Sequence, residues 1–197
     1  MNFCRAILIT VHVIIATGSR NVTNLGIKLY APHSLSGRFK RATASVELTE
    51  ARLGHYFGVV FVGRDRQLIH VVFDTTTGLT WVPKVGGHWS KYHEFYPGPA
   101  SDAVLTGRQF SKEYLLNIVE GEWMWVDLEI GDIKLSQLTI GLASRLYAKN
   151  PTFGTGFFPG VVGLQFDGDT PYFEKTLLGY LFESRNIASP QFTLSFQ

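Results

Sequence analysis

The stretch Phe73–Pro83, which reads FDTTTGLTWVP, decides the fold and the chemistry that we predict for this chain. An apolar run of β-type residues, Leu68–Phe73, leads into it and ends on the carboxylate of Asp74. Three small hydroxyl residues and a glycine follow this carboxylate at once. Hydroxyl and amide donors in a tight turn hold a carboxylate in a fixed geometry. The pattern therefore predicts a strand that carries a positioned aspartate; a purely turn-forming aspartate, bonded to backbone amides, is the alternative.

The composition of the chain favours one all-β domain. At 197 residues the chain is long enough for a single domain with a sizeable core. It is rich in Phe, Tyr, Val and Gly, and few stretches have helical periodicity. The net charge is +2 and 17% of the residues are charged, a balance that gives no indication of a nucleic-acid partner.

Residues 1–18 have the pattern of a secretory signal peptide. Arg5 precedes the apolar run Ala6–Ala16, and small residues follow it. The run is too short to span a bilayer comfortably, and an uncleaved anchor is the alternative. We expect a secreted protein, extracellular or endolysosomal, with no membrane partner after signal cleavage. The only cysteine, Cys4, lies in this segment, so no disulfide is predicted in the mature chain.

Residues 19–50 are polar and contain the basic cluster Arg38–Arg41. Such a stretch between a signal and a β-domain is typical of a leader or a short pro-segment. Lys40 and Arg41 form a candidate dibasic processing site, with a solvated basic patch as the alternative. We therefore divide the chain into a signal (1–18), a leader or pro-segment (19–50) and a β-domain (51–197).

The β-domain is predicted to alternate strands and turns. The predicted strands cover residues 56–62, 67–73, 79–83, 111–119, 122–130, 133–142, 161–164 and 192–196. Glu120–Gly121 is predicted to be the turn of a hairpin. One helix is predicted over residues 172–181, where apolar residues recur at helical spacing behind Thr170 and Pro171.

The motifs around Asp74 resemble those of the pepsin-like aspartic proteases, peptidase family A1. Tyr56–Gly58, Phe73–Thr75 and Trp81–Pro83 stand at the spacing of this family without gaps. Val161–Gly163 keeps the apolar-apolar-glycine pattern that supports the active loop. The resemblance covers about residues 53–197 and only the amino-terminal lobe. It implies an all-β, pepsin-like lobe of bent antiparallel sheets with one short helix.

The resemblance implies hydrolysis of peptide bonds by a pair of carboxylates. Two neighbouring carboxylates share one proton because like charges at close range cannot both ionise, so one acts as acid and the other as base. Asp74 corresponds to one member, and the sequence contains no second Asp-Thr-Gly loop. A single copy is therefore not expected to be a competent peptidase. A second copy related by a two-fold axis would supply another Asp74.

Two functions remain open on these grounds. The first is an aspartic-type endopeptidase-related protein, active in proteolysis only when a partner chain, as in a homodimer, or a second lobe supplies the second aspartate. The second is a catalytically inactive lobe, a pseudoenzyme that binds a peptide or a protein in the former cleft. A truncated gene product without an independent role is a third interpretation. None of them requires a cofactor.

The resemblance also assigns roles to residues around the predicted cleft. Thr75 corresponds to the hydroxyl that links the two active loops, and Thr77 to the hydroxyl that bonds the outer carboxylate oxygen. Thr76 replaces a glycine of the family, and its β-branched side chain is expected to crowd the dyad or shift the loop. Tyr114 corresponds to the flap tyrosine that bonds the indole of Trp81 and covers the substrate.

Three further groups of residues are candidates for a role at the site or at a surface. The flap glycines of the family are replaced in Tyr114–Asn117, which reads YLLN, so a stiffer, apolar flap is expected. Trp123 and Trp125 on one strand predict an apolar face, either in the core or exposed as an association surface. His88 and His93 lack a further ligand at a telling spacing, and no metal site is predicted.

Overall fold

Ten strands and one α-helix form the fold in a computed structural model that describes residues 25–29, 45–50, 56–87, 94–113, 117–148, 159–165, 176–184 and 192–196. The strands are β1 (Leu25–Leu29), β2 (Ser45–Glu50), β3 (Tyr56–Val62), β4 (Gln67–Asp74), β5 (Trp81–Pro83), β6 (Val104–Glu113), β7 (Asn117–Ile130), β8 (Ile133–Ala148), β9 (Val161–Gly163) and β10 (Phe192–Phe196). The helix α1 covers Leu177–Glu183, and a short 3-10 helix covers Pro99–Ser101.

The strands form one mixed sheet that closes on itself. They are hydrogen-bonded in the order β10–β1–β2–β3–β4–β9–β5–β8–β7–β6, and β3 also pairs with β7. That extra pairing joins two strands far apart in the order, so β3, β4, β9, β5, β8 and β7 form a closed ring. The pairs β4–β9 and β5–β8 are parallel. The predicted all-β lobe with one short helix is confirmed.

The two faces of β7 separate two apolar clusters. Met124 and Val126 belong to the larger cluster, whereas Val119 and Trp123 belong to the smaller one. Met124 is fully buried, and burial of such a side chain stabilises a fold by about 1.5–3 kcal/mol. Trp125, on the face of Trp123, is 50% exposed. The apolar face predicted from the two tryptophans is thus core at Trp123 and surface at Trp125.

The helix α1 is capped at its first turn and is hydrogen-bonded to β8 from its middle. The Oγ1 atom of Thr176 accepts a hydrogen bond from the amide of Gly179 at 3.2 Å and caps the first turn. Leu178 is fully buried in the larger cluster. Tyr180 donates its hydroxyl to the carbonyl of Ser136 in β8 at 2.5 Å. The predicted helix is confirmed over its second half, and residues 171–175 lie outside the described residues.

The predicted hairpin turn at Glu120–Gly121 is wrong. The strand β7 runs through both residues, and only its register against β8 shifts there. A Cβ atom on Gly121 would lie 2.1 Å from the carbonyl oxygen of Leu142. The glycine therefore serves the close approach of two strands and not a turn. The hairpin is formed by β6 and β7, which pair at Glu113 and Ile118.

Two strands lie in the segment 19–50 that we assigned to a leader or pro-segment. The strand β1 pairs with β10 and β2, and β2 pairs with β3. Val46 and Leu48 are buried on either side of the exposed Glu47, which is the period-two pattern of a half-buried strand. The predicted signal and the site at Lys40 and Arg41 lie outside the described residues. No helix in the described part is long and apolar enough to cross a membrane.

Candidate active site

The main chain of Asp74 is fixed by the neighbouring strand. Asp74 is the last residue of β4, where it lies opposite Gly163 of the parallel strand β9. Its carbonyl oxygen accepts a hydrogen bond from the amide of Leu164 at 2.8 Å. Further along the loop, the carbonyl of Thr77 accepts from Gln165 at 3.1 Å. The loop is thus attached to β9 and its extension at two points.

The side chain of Asp74 is held by Thr76. The amide and the hydroxyl of Thr76 both donate to the Oδ1 atom of Asp74, each at 2.7 Å. Hydrogen bonds to an ionised acceptor are among the stronger ones in proteins. The other carboxylate oxygen, Oδ2, accepts no hydrogen bond from any residue that the structure describes. One oxygen is therefore fixed and the other is left open, on a half-buried side chain.

The hydroxyl bond that we expected from Thr77 is made by Thr76 instead. Thr77 is 1% exposed, and its Oγ1 atom accepts a hydrogen bond from the amide of Leu79 at 3.1 Å. A buried hydroxyl that is engaged with the backbone shapes the loop and is poorly placed to contact a substrate. The sequence could not separate the two roles because the two residues are adjacent threonines.

Thr76 fits the loop without a positive φ. Among the described residues, the non-glycine positions with positive φ are Arg66, Asp102 and Gln137. Thr76 is thus outside the left-handed region that favours glycine, and its amide still bonds the carboxylate. Crowding of a second carboxylate by its side chain stays a prediction.

Thr75 is exposed, and its hydroxyl has no hydrogen-bond partner within the described part of the chain. This hydroxyl therefore makes no bond to its own turn in the described residues. A hydroxyl at the outer tip of the loop is accessible to a second protein surface. Its role as a link between two active loops stays a prediction.

The loop after Asp74 packs directly on β9, as the apolar-apolar-glycine pattern indicates. A Cβ atom on Gly163 would lie 2.6 Å from the carbonyl carbon of Gly78 and 2.7 Å from the carbonyl oxygen of Thr77. The amide of Gly163 donates to the Oγ1 atom of Thr80 at 3.1 Å. The role of Thr80 is not evident from the sequence, because nothing in its immediate pattern distinguishes it from any hydroxyl residue before a strand.

Trp81 anchors the β6–β7 hairpin next to the loop. Its side chain is fully buried in the smaller cluster, together with Phe110 and Trp123 of the hairpin. The ring centroids of Phe110 and Trp123 are 5.2 Å apart, a usual distance for aromatic pairs. Because Trp81 has no exposed surface, it supports the site and does not offer a substrate contact. Tyr114, the predicted flap residue, lies outside the described residues.

The described residues of the site include no set of ligands for a metal ion. Across the described ranges, no group of three or more His, Cys, Asp or Glu side chains is arranged to hold one. His88 and His93 lie outside these ranges. What the described residues present is one positioned carboxylate beside an exposed hydroxyl.

Comparison with known proteins identifies the family. The family model of eukaryotic aspartyl protease matches residues 55–197. The chain belongs to the eukaryotic aspartyl protease family. It is 29% identical to cathepsin D of Gallus gallus over 146 residues, which cover 68% of this chain and 35% of that protein. It is 31% identical to napsin-A of Homo sapiens over 126 residues, 61% of this chain and 30% of that protein.

A third relative, chymosin of Ovis aries, is 23% identical over 154 residues, 77% of this chain and 40% of that protein. The chain thus spans about a third of the length of the curated relatives it matches. The range that the family model matches includes Asp74.

Proposed function

We propose that the chain forms one half of an aspartic endopeptidase site, which hydrolyses peptide bonds when a second aspartate faces Asp74. The observation that carries the proposal is the arrangement of the carboxylate. Thr76 fixes Oδ1 with two donors at 2.7 Å, and Oδ2 has no partner among the described residues. The carboxylate is held in place and is still open on one side.

A second carboxylate is needed for the chemistry. In a pair, one carboxyl keeps a proton and donates it to the leaving group, while the other takes a proton from the attacking water. One aspartate alone cannot perform both steps. The second could come from another copy of the chain through a two-fold axis, which brings the same loop to itself, or from a second lobe.

The exposure of Thr75 favours contact with a partner protein at this position. Thr75 directly follows Asp74, and its hydroxyl has no hydrogen-bond partner among the described residues. A two-fold interface through the loop would let each Thr75 bond the opposite loop and would remove two hydroxyl groups from water. The substrate is a peptide or protein segment, which enters between the two loops.

A second candidate function is an inactive lobe that binds peptides. It is favoured by the position of the Thr76 side chain, which occupies the place of a glycine in the family and bonds the carboxylate directly. If this side chain keeps a second carboxylate away, Asp74 would act as an acceptor for a bound peptide and not as a catalyst. On either function we propose entry into the secretory pathway, based on the signal pattern of residues 1–18.

The test is peptide cleavage by the full-length chain over a range of concentrations. A peptide library is incubated at about pH 3 to 6, where a carboxyl pair can share a proton. We compare the unchanged chain with Asp74→Asn and with Asp132→Asn, an exposed aspartate in the β7–β8 turn. Cleavage that requires Asp74 and rises faster than linearly with concentration supports a dimer site. No cleavage at any concentration, with peptide binding retained, would establish the inactive lobe.

A further inference from the structure

A groove of about 660 Å³ lies at the end of the sheet opposite to Asp74. One of its walls includes Arg64, in the turn that precedes β4. The strand β4 has eight residues, Gln67–Asp74, and a strand rises about 3.3 Å per residue. The groove is therefore separated from the carboxylate of Asp74 by about the length of that strand, roughly 20 Å or more. Its occupancy is independent of the function proposed for Asp74.

An exposed tryptophan forms part of the groove. Trp125 of β7 is 50% exposed, and Val104, which pairs with it across the hairpin, is 52% exposed. Both line the groove, together with Pro97 and Pro99 of the preceding loop. A molecule that covers these two neighbouring apolar side chains removes apolar surface from water, which is favourable. The proline-containing wall is conformationally stiff, which lowers the entropy cost of binding.

An uncompensated carboxylate lies beside the tryptophan. The Oδ1 atom of Asp127 accepts a hydrogen bond from the amide of Gln137 at 3.0 Å. Its Oδ2 atom has no hydrogen-bond or ion-pair partner in the described ranges. The nearby cation of the groove is already engaged, because Arg64 pairs with Asp102 at 2.5 Å. The groove therefore has one net negative charge, on a carboxylate whose orientation is fixed.

The backbone around the groove is tied together. The amide of Gly63 donates to the carbonyl of Asp127 at 2.8 Å, and the amide of Arg64 donates to the carbonyl of the buried Ser101 at 3.1 Å. Opposite Asp127 the register of β8 shifts, and Gln137 has a φ of 54° there. Such bulges re-aim groups of a sheet, and this one directs an amide at Asp127. The groove is thus formed before any ligand binds.

We propose that this groove binds an arginine side chain from an extended segment of a partner protein. Trp125 and Asp127 are two residues apart on one strand, so they share a face and lie about 7 Å apart. That spacing suits a guanidinium group, which stacks on the indole and donates two hydrogen bonds to the carboxylate. The rest of the segment lies on Val104 and the prolines. Lysine fits less well, because a compact ammonium group cannot stack and fork in this way.

The first test uses the unchanged full-length chain and three blocked pentapeptides. Each has alanine and proline around a central residue, which is arginine, citrulline or lysine. Binding is followed by calorimetry and by tryptophan fluorescence. We expect the arginine peptide to bind about tenfold more tightly than the citrulline peptide, the effect of one charge-assisted contact, with lysine between them. Equal binding of arginine and citrulline peptides, or no binding at about 1 mM peptide, would overturn the proposal.

The second test locates the site with variants. Asp127→Asn and Trp125→Leu should each weaken the arginine peptide about tenfold, and Asp132→Asn should leave its affinity unchanged. Both groove residues are at least partly exposed, so circular dichroism and thermal unfolding should match the unchanged chain. Full affinity in the Asp127→Asn variant would contradict the proposal. The citrulline comparison needs no variant, and it decides the question even if a variant fails to fold.

Discussion

The loop after β4 has an outer and an inner part that differ in what their hydroxyl groups do. In the outer part, Thr75 and Thr76 are exposed, and the Thr76 hydroxyl bonds the Asp74 carboxylate. In the inner part, Thr77 and Thr80 are buried, and their hydroxyls accept backbone amides. Of these four threonines within six positions, two are exposed beside the carboxylate and two stabilise the backbone of the loop. The inner part should control stability, and the outer part should control the site.

The largest effect is expected at Gly163, on which the inner part packs. In Gly163→Ala the new methyl meets three backbone atoms of the loop at 2.6 to 2.8 Å, so we expect a loss of about 3 kcal/mol in the free energy of unfolding. Denaturant unfolding measures it. Gly86→Ala is the control, because its methyl meets nothing within 4 Å at a φ of 77°, and it should cost only about 1 kcal/mol. Equal losses in the two variants would contradict the packing described for Gly163.

A smaller loss of stability is expected from Thr77→Val. Valine has nearly the same shape, but it leaves the buried amide of Leu79 without its acceptor. An unpaired buried amide costs about 1–3 kcal/mol. The midpoint of urea unfolding reports this loss. If Thr77→Val were as stable as the unchanged chain, the inner part would not depend on its hydroxyl.

Thr76→Val should affect the site and spare the fold. The residue is exposed, so the free energy of unfolding should change by less than about 0.5 kcal/mol. The carboxylate loses one of the two donors on Oδ1, and cleavage or peptide binding should fall about tenfold. Thr76→Ser keeps the hydroxyl and should restore the function. Full function in Thr76→Val, or loss of function in Thr76→Ser, would contradict the role of this hydroxyl.

The smallest change in the free energy of unfolding of the monomer is expected from Thr75→Val. Its hydroxyl has no partner among the described residues, so stability should again change by less than about 0.5 kcal/mol. If each hydroxyl bonds the opposite loop, the substitution removes two hydrogen bonds from the dimer. Self-association should then weaken about fivefold for each bond, roughly 25-fold in all. Sedimentation equilibrium of the two proteins gives the comparison. An unchanged association constant would remove Thr75 from the interface.

Most of the strands around Asp74 could be predicted from the sequence, because their alternating apolar residues and the glycines between them are local patterns. The sequence located β4, β9 and β10 and the face of α1. It misassigned Gly121, since a glycine after a glutamate has the same pattern in a turn as in a strand that approaches its neighbour closely. It did not reveal β1 and β2, whose pairing depends on partners distant in the chain.

Some features of the candidate site could be predicted from the sequence and others could not. The position of Asp74 at the end of a strand was predictable, because a run of β-type residues leads into it. Which of three successive threonines bonds the carboxylate was not predictable, since only the course of the backbone decides it. The orientation of the Asp127 carboxylate depends on a bulge in β8, and no local pattern indicates that bulge.

The most direct measurement of a shared site is a mixing experiment. A constant amount of the unchanged chain is combined with increasing Asp74→Asn chain, and peptide cleavage is measured at each ratio. Mixed pairs contain only one Asp74, so we expect cleavage to fall below that of the unchanged chain alone as the variant recruits its partners. Cleavage that stays constant at every ratio, or that is absent throughout, would contradict a site built from two copies of Asp74.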